Sequence, residues 1–168
     1  MIGVCFLASA LLLDSNSYTV SAKIDGSTCR ATMTKAKFRA RGRSIFWAKK
    51  DEMVLPAMGS KARPIYFYGH DLGVQMVKGM TLAKYLEKHY TVFTSLKVSW
   101  KGKTRVFDKV LYQDVLNPTF EQDYVSIKPG AAGSALLRIE GGDGTVGYAI
   151  TYTIPSKGAI TRKIEATD

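Results

Sequence analysis

Metal-binding and redox side chains are scarce in this chain: it holds two histidines and two cysteines in 168 residues. A structural zinc site needs three or four ligands at metal spacing, and Cys5, Cys29, His70 and His89 show no such spacing. Two cysteines allow one disulfide at most, and a Cys5–Cys29 bridge and two reduced core thiols are both open. A catalytic histidine needs a nucleophile or a second acid in a defined place. His70 has only Asp71 beside it, in a turn-like YGHDLG, and His89 reads as the cap of a short helix. No catalytic residue, metal or cofactor is therefore expected, and the protein is read as not an enzyme. Acidic residues are also few, 14 against 24 Lys and Arg, which leaves a net charge of +10. No apolar run approaches the ~20 residues of a membrane helix, so no membrane span is expected.

The longest apolar run is residues 2–13, IGVCFLASALLL. It lacks the positive flank of a secretory signal, and cleavage after Ala8-Ser9-Ala10 would leave an apolar region shorter than the usual ~7–15 residues. It does suit a strand buried on both faces. Ile2, Val4, Phe6, Ala8, Ala10 and Leu12 fall on one side, and Cys5, Leu7, Leu11 and Leu13 on the other. Such a strand completes either its own sheet or a neighbour's. Head-to-tail donation need not close and so builds filaments. Ile2, Val4, Phe6, Leu7, Leu11, Leu12 and Leu13 are the candidate subunit interface.

Nine Tyr, seven Phe, fifteen Gly and only five Pro point to many short strands joined by tight turns. Asp25-Gly26 is a favoured two-residue hairpin turn. Pairing outward from it sets Ile24, Ala22, Val20 and Tyr18 against Ser27, Cys29, Ala31 and Met33. A wholly polar face then carries Lys23–Thr28, Ser21–Arg30, Thr19–Thr32 and Ser17–Thr34. The inside-outside parity flips after Thr34, which implies a bulge or corner. Further strands are expected at 44–48, 64–69, 72–78, 91–100, 104–112, 123–128, 134–140, 145–154 and 159–165. Gly102 turns one pair, and Gly141–Gly144 turns another. Leu82, Tyr85, Leu86 and His89 recur at helical spacing behind Thr81, predicting one short helix near 81–89. Residues 1–168 therefore read as a single all-β domain, an antiparallel β-sandwich of Ig-like or jelly-roll type.

Charge is unevenly spread. Residues 1–113 carry nineteen Lys/Arg against seven Asp/Glu, and 114–168 carry five against seven. Lys35, Lys37, Arg39, Arg41 and Arg43 alternate with small or apolar residues, so on a strand they project together at ~6–7 Å intervals. They are the candidate polyanion-binding residues, and Trp47, Tyr66, Phe67 and Tyr68 are available to stack bases. The other reading of the ladder is a solvated strand face kept charged against edge pairing, facing a neighbouring acidic subunit. Gly142–Gly147 spells G-x-G-x-x-G, but β-forming residues flank it on both sides, so it is a hairpin turn rather than a dinucleotide loop. Asp51-Glu52 and the Glu121/Asp123 pair read as loop acids.

Ser126–Ser134 (SIKPGAAGS) leading into ALLRI and GGDGTVGYAITYTI resembles a phrase of Ig-like sandwich modules in secreted and cell-surface proteins. FLASALLLDSNSYTVSAKIDG resembles the start of TasA-type and archaeal bundling-pilus subunits. In this chain the Lys-Pro-Gly phrase falls near the C-terminus rather than early. The resemblance implies an N-terminal segment donated to the next subunit, and it transfers no individual functional residue. The expected function is a self-assembling, homo-oligomeric subunit of an extracellular or cell-surface filament. The alternative is a viral coat or other nucleic-acid-binding β protein that uses its basic strand face and is located in a virion.

Overall fold

The computed structural model describes residues 16–39, 46–49, 52–56, 64–66, 84, 87–88, 90–113, 115, 117–143 and 146–167. Among these residues eleven strands run in chain order: β1 (Ser17–Ile24), β2 (Ser27–Lys37), β3 (Phe46–Lys49), β4 (Glu52–Pro56), β5 (Pro64–Tyr66), β6 (Thr91–Trp100), β7 (Lys103–Val106), β8 (Val125–Pro129), β9 (Ala135–Asp143), β10 (Val146–Ile154) and β11 (Thr161–Thr167). They form two four-stranded antiparallel sheets, β1-β2-β6-β7 and β8-β9-β10-β11, and a three-stranded sheet β3-β4-β5. The expected all-β antiparallel sandwich is thus observed. Within that class each large sheet is a meander, contiguous in sequence apart from the residues inserted between β2 and β6. Of the expected 81–89 helix, residues 84, 87 and 88 are described, and their backbone is helical. The predicted strand at 72–78 lies outside the described residues.

The β1–β2 hairpin has the expected register at all eight pairs, from Ile24↔Ser27 to Ser17↔Thr34. Its turn needs positive φ at both central residues, and Asp25 (49°) and Gly26 (75°) supply it. Lys101 (49°) and Gly102 (72°) repeat the arrangement between β6 and β7. The expected irregularity after Thr34 is also present. Thr34 pairs Ser95 and Lys35 pairs Phe93, so the extra residue is Thr94 on the partner strand. Beyond it, burial on β2 moves to the opposite face. Cys29, Ala31 and Met33 enter the sandwich core, whereas Phe38 is buried outside that cluster.

Between the sheets, Ile24, Met33, Leu96 and Val98 meet Leu137, Ile139, Ile150, Tyr152 and Ile154, all essentially inaccessible. Burying each such side chain contributes ~1.5–3 kcal/mol, which makes this layer the main source of stability. One seam is closed where β1 touches β8. At the other, Arg105 of β7 donates to Pro155 O (2.7 Å) and Gly158 O (2.6 Å) in the β10–β11 loop. The predicted 104–112 strand is shorter than expected. β7 ends at Val106, and a 3₁₀ turn at Lys109–Leu111 carries the chain across to the second sheet. Conversely, β9 runs through the predicted 141–144 turn, with Asp143 pairing Val146. Gly141 therefore lies within the strand, opposite Tyr148 and covered by it.

Cys29 is a free, fully buried thiol. Burial pushes its pKa up to about 11. Folding therefore favours the neutral thiol, and the sign follows. This contribution is complete below the ordinary value of 9.0 and is lost as pH rises from there toward about 11. Alkylation of Cys29 at pH 8, followed by mass spectrometry of its peptide, is expected to require unfolding. Equal labelling rates in buffer and in concentrated urea would contradict this placement.

Candidate functional site

The residues singled out from the sequence fare unequally. Ile2, Val4, Phe6, Leu7, Leu11, Leu12 and Leu13 lie outside the described residues, as do Arg41, Arg43, His70, Phe67 and Tyr68. Among the ladder cations Lys37 and Arg39 are exposed, but Lys35 is half-buried. Its Nζ donates to Pro118 O (3.2 Å) and lies 4.7 Å from the centre of the Phe120 ring. Desolvation pulls the Lys35 pKa down, with Glu121 pulling the other way. Phe120 in turn packs on Tyr18 and Phe93, at 6.0 and 5.7 Å between ring centres. Lys35 therefore belongs to the closure of the sandwich end. Its charge does not stand with those of Lys37 and Arg39 as one free row.

A different basic surface is assembled by pairing across the first sheet. Because residues two apart share a face, the sheet's outer side collects Ser17, Thr19, Ser21 and Lys23 from β1 and Thr28, Arg30, Thr32 and Thr34 from β2. β6 adds Ser95, Lys97 and Ser99, and β7 adds Thr104 and Val106. One rung across the sheet is Ser21–Arg30–Ser99–Thr104, and the next is Thr19–Thr32–Lys97–Val106. None of these side chains is buried, and none is a carboxylate. Hydroxyls are held between neighbouring strands. Ser99 and Thr104 are 2.8 Å apart, Thr19 and Thr32 3.3 Å, and the bulge residue Thr94 sits 2.8 Å from Thr34. With no acid among them, Lys23, Arg30 and Lys97 keep their field over a plane of hydroxyl donors.

The cationic character continues around the β6–β7 hairpin. A shallow 390 Å³ groove on the outer side is lined by Arg30, Ser99, Trp100, Lys101, Lys103 and Thr104 among others. The turn's Lys101 lies over the Trp100 ring (4.5 Å) and 3.4 Å from Asp25 Oδ2, tying the two hairpin turns together. As a half-exposed pair, this bridge orders the turns more than it stabilises them. Among the described residues no group of three or more His, Cys, Asp or Glu could hold a metal ion, and no helix is long and apolar enough to cross a membrane.

Sequence reading paired Arg30 with Ser21 and recognised the polar hairpin face, but it did not see Lys97, Lys101 and Lys103 as part of the same surface. The missing information was the β2–β6 pairing, which joins residues separated in sequence by a whole three-stranded sheet. No local signal encodes that pairing. No protein-family model, curated protein or solved structure matches the chain.

Proposed function

We propose that this protein binds the backbone of a nucleic acid on the outer face of the β1-β2-β6-β7 sheet. The observation that carries the reading is that, among the described residues, no carboxylate stands on a face that combines Lys23, Arg30 and Lys97 with rows of Ser and Thr. Cations neutralise phosphates and release counterions, and hydroxyls donate to phosphate oxygens. Among the described residues the outward side chains of these strands include no aromatic, and Trp100 enters only the groove at the β6–β7 hairpin, so contacts on the face go to phosphate and sugar and binding is largely insensitive to sequence. The net charge of +10 adds long-range attraction.

The test is a fluorescence-anisotropy titration of labelled single-stranded oligonucleotides at several salt concentrations. Log affinity should fall linearly with log salt, and two unrelated sequences should bind alike. Replacing both Arg30 and Lys97 by serine should lower the slope by roughly one per cation removed. A slope unchanged in this variant would place binding elsewhere, and no salt-sensitive binding at all would end the reading.

Self-assembly by strand donation is the second reading. The observation favouring it is β7, a four-residue strand that among the described residues is the edge of its sheet, with Val106 and nearby Val110 exposed (68% and 60%). An apolar strand added there would satisfy the edge's backbone groups and cover both valines. Deleting residues 1–13 should convert assemblies to monomers by light scattering. A truncated chain that still polymerises rules the mechanism out.

A further inference from the structure

We infer that the cavity between the β6–β7 hairpin and the β10–β11 loop receives a single nucleotide unit, such as the phosphate-bearing end of the strand lying on the adjacent sheet face. This rests on the nucleic-acid reading above. The cavity holds about 230 Å³, and it divides chemically into an apolar interior of Val98, Trp100, Ile154 and Pro155 and a set of cations, Lys101, Lys103, Arg105 and Lys157. Among the described residues no carboxylate lines it, although Asp25 Oδ2 stands 3.4 Å from Lys101 Nζ. Inorganic phosphate would satisfy the cations and leave the apolar interior wet. A bare hydrocarbon would do the reverse. A nucleotide presents a flat, weakly polar ring and a dianionic group on one small body, and so meets both halves.

One further observation supports a built wall, and a second supplies a reporter within it. Arg105 spends its guanidinium on Pro155 O and Gly158 O, at 2.7 and 2.6 Å, which holds the loop forming one wall. The wall residue Trp100 is 6% exposed, and its indole Nε1 is buried without a hydrogen-bond partner among the described residues. Unpaired donors of this kind are uncommon in folded proteins, and because this one is sealed from the open cavity, the indole meets an occupant through its ring while the N–H reports on the wall. Trp100, Lys101 and Lys103 also line the groove on the outer side, so the cavity and the sheet face are continuous around the hairpin.

The experiment follows the indole N–H signals of the ¹⁵N-labelled full chain during titration with adenosine monophosphate. The Trp100 signal is identified by its loss in Trp100→Phe. The Trp100 signal should shift saturably with the nucleotide and not with inorganic phosphate at the same concentration. Lys103→Ser combined with Lys157→Ser should weaken the response at least about tenfold. These cations are exposed, so the variant should keep the fold, checked by its unchanged remaining spectrum. No shift, an equal shift with inorganic phosphate, or full affinity in the double variant would overturn the inference. The oligonucleotide titration is read separately. Nucleotide binding without strand binding would remove the sheet-face reading and leave the cavity's occupant standing. Strand binding without a Trp100 response would do the opposite.

Discussion

Replacing Tyr152 by alanine is expected to cost about 3–5 kcal/mol, and replacing it by phenylalanine only about 1 kcal/mol. The difference follows from what the side chain does. Tyr152 is inaccessible in the C-terminal half of β10, with its ring edge-on to Phe107 at 5.1 Å. Its hydroxyl donates to Leu111 O (2.8 Å), and Arg162 Nη1 donates to the same carbonyl (2.9 Å). Truncation to alanine empties a ring-sized volume between sheets that cannot collapse independently. Removing the hydroxyl alone leaves Leu111 O satisfied by Arg162. Against a total of ~5–15 kcal/mol for a domain, the alanine variant gives up a fifth or more of the stability. Urea unfolding checks this, with the midpoint moving and the slope unchanged. If the phenylalanine variant loses as much as the alanine variant, the hydroxyl rather than ring packing joins the crossover to the second sheet.

Elements legible in the sequence share one property: their information is local. Asp25-Gly26 specifies a turn whose twist matches the flanking strands, and the alternation on either side then fixes the register of all eight pairs. The break after Thr34 was legible because Ala36 and Phe38 reverse the polarity of Cys29, Ala31 and Met33, and Thr94 opposite it supplies the extra residue. Strand 91–100 and the Gly102 turn belong to the same class. What could not be read was non-local. Lys35 has the pattern of an outward cation, yet Phe120 and Pro118, which occupy it, lie more than eighty residues away. Likewise β7 was extended to residue 112. Val106, Phe107, Val110 and Leu111 look strand-forming, and only the crossing to β8 makes the chain turn at Lys109. The basic face depends on β2–β6 pairing, so composition announced a cationic protein before any motif could say where the cations gather.

Gly141→Ala is expected to destabilise the fold by about 1–3 kcal/mol, although alanine is the better residue in an ordinary strand by ~0.5–1 kcal/mol. The sign is decided by what lies over this glycine. Tyr148, its cross-strand partner, covers it. An added Cβ would run into the tyrosine Oη, lie 2.7 Å from Cζ, and come within 3.1 Å of Asn117 O. A flexible side chain at a surface would swing away. Tyr148 is 2% exposed and has no such room. Asn117 cannot yield cheaply either. Its N–H donates to Thr91 O and its Oδ1 accepts from Thr91 N, both at 2.9 Å, and Pro118 forms a bridge with Gly141 itself. This short segment therefore pins the start of β6 to the end of β9, and relief of the clash must loosen one sheet from the other. A double-mutant cycle with Tyr148→Phe separates the two sources of strain. Rescue of most of the loss would assign it to the phenol oxygen. Additive losses would assign it to the ring carbons and the Asn117 backbone. A Gly141→Ala chain as stable as the parent would mean that the ring does not close over this glycine.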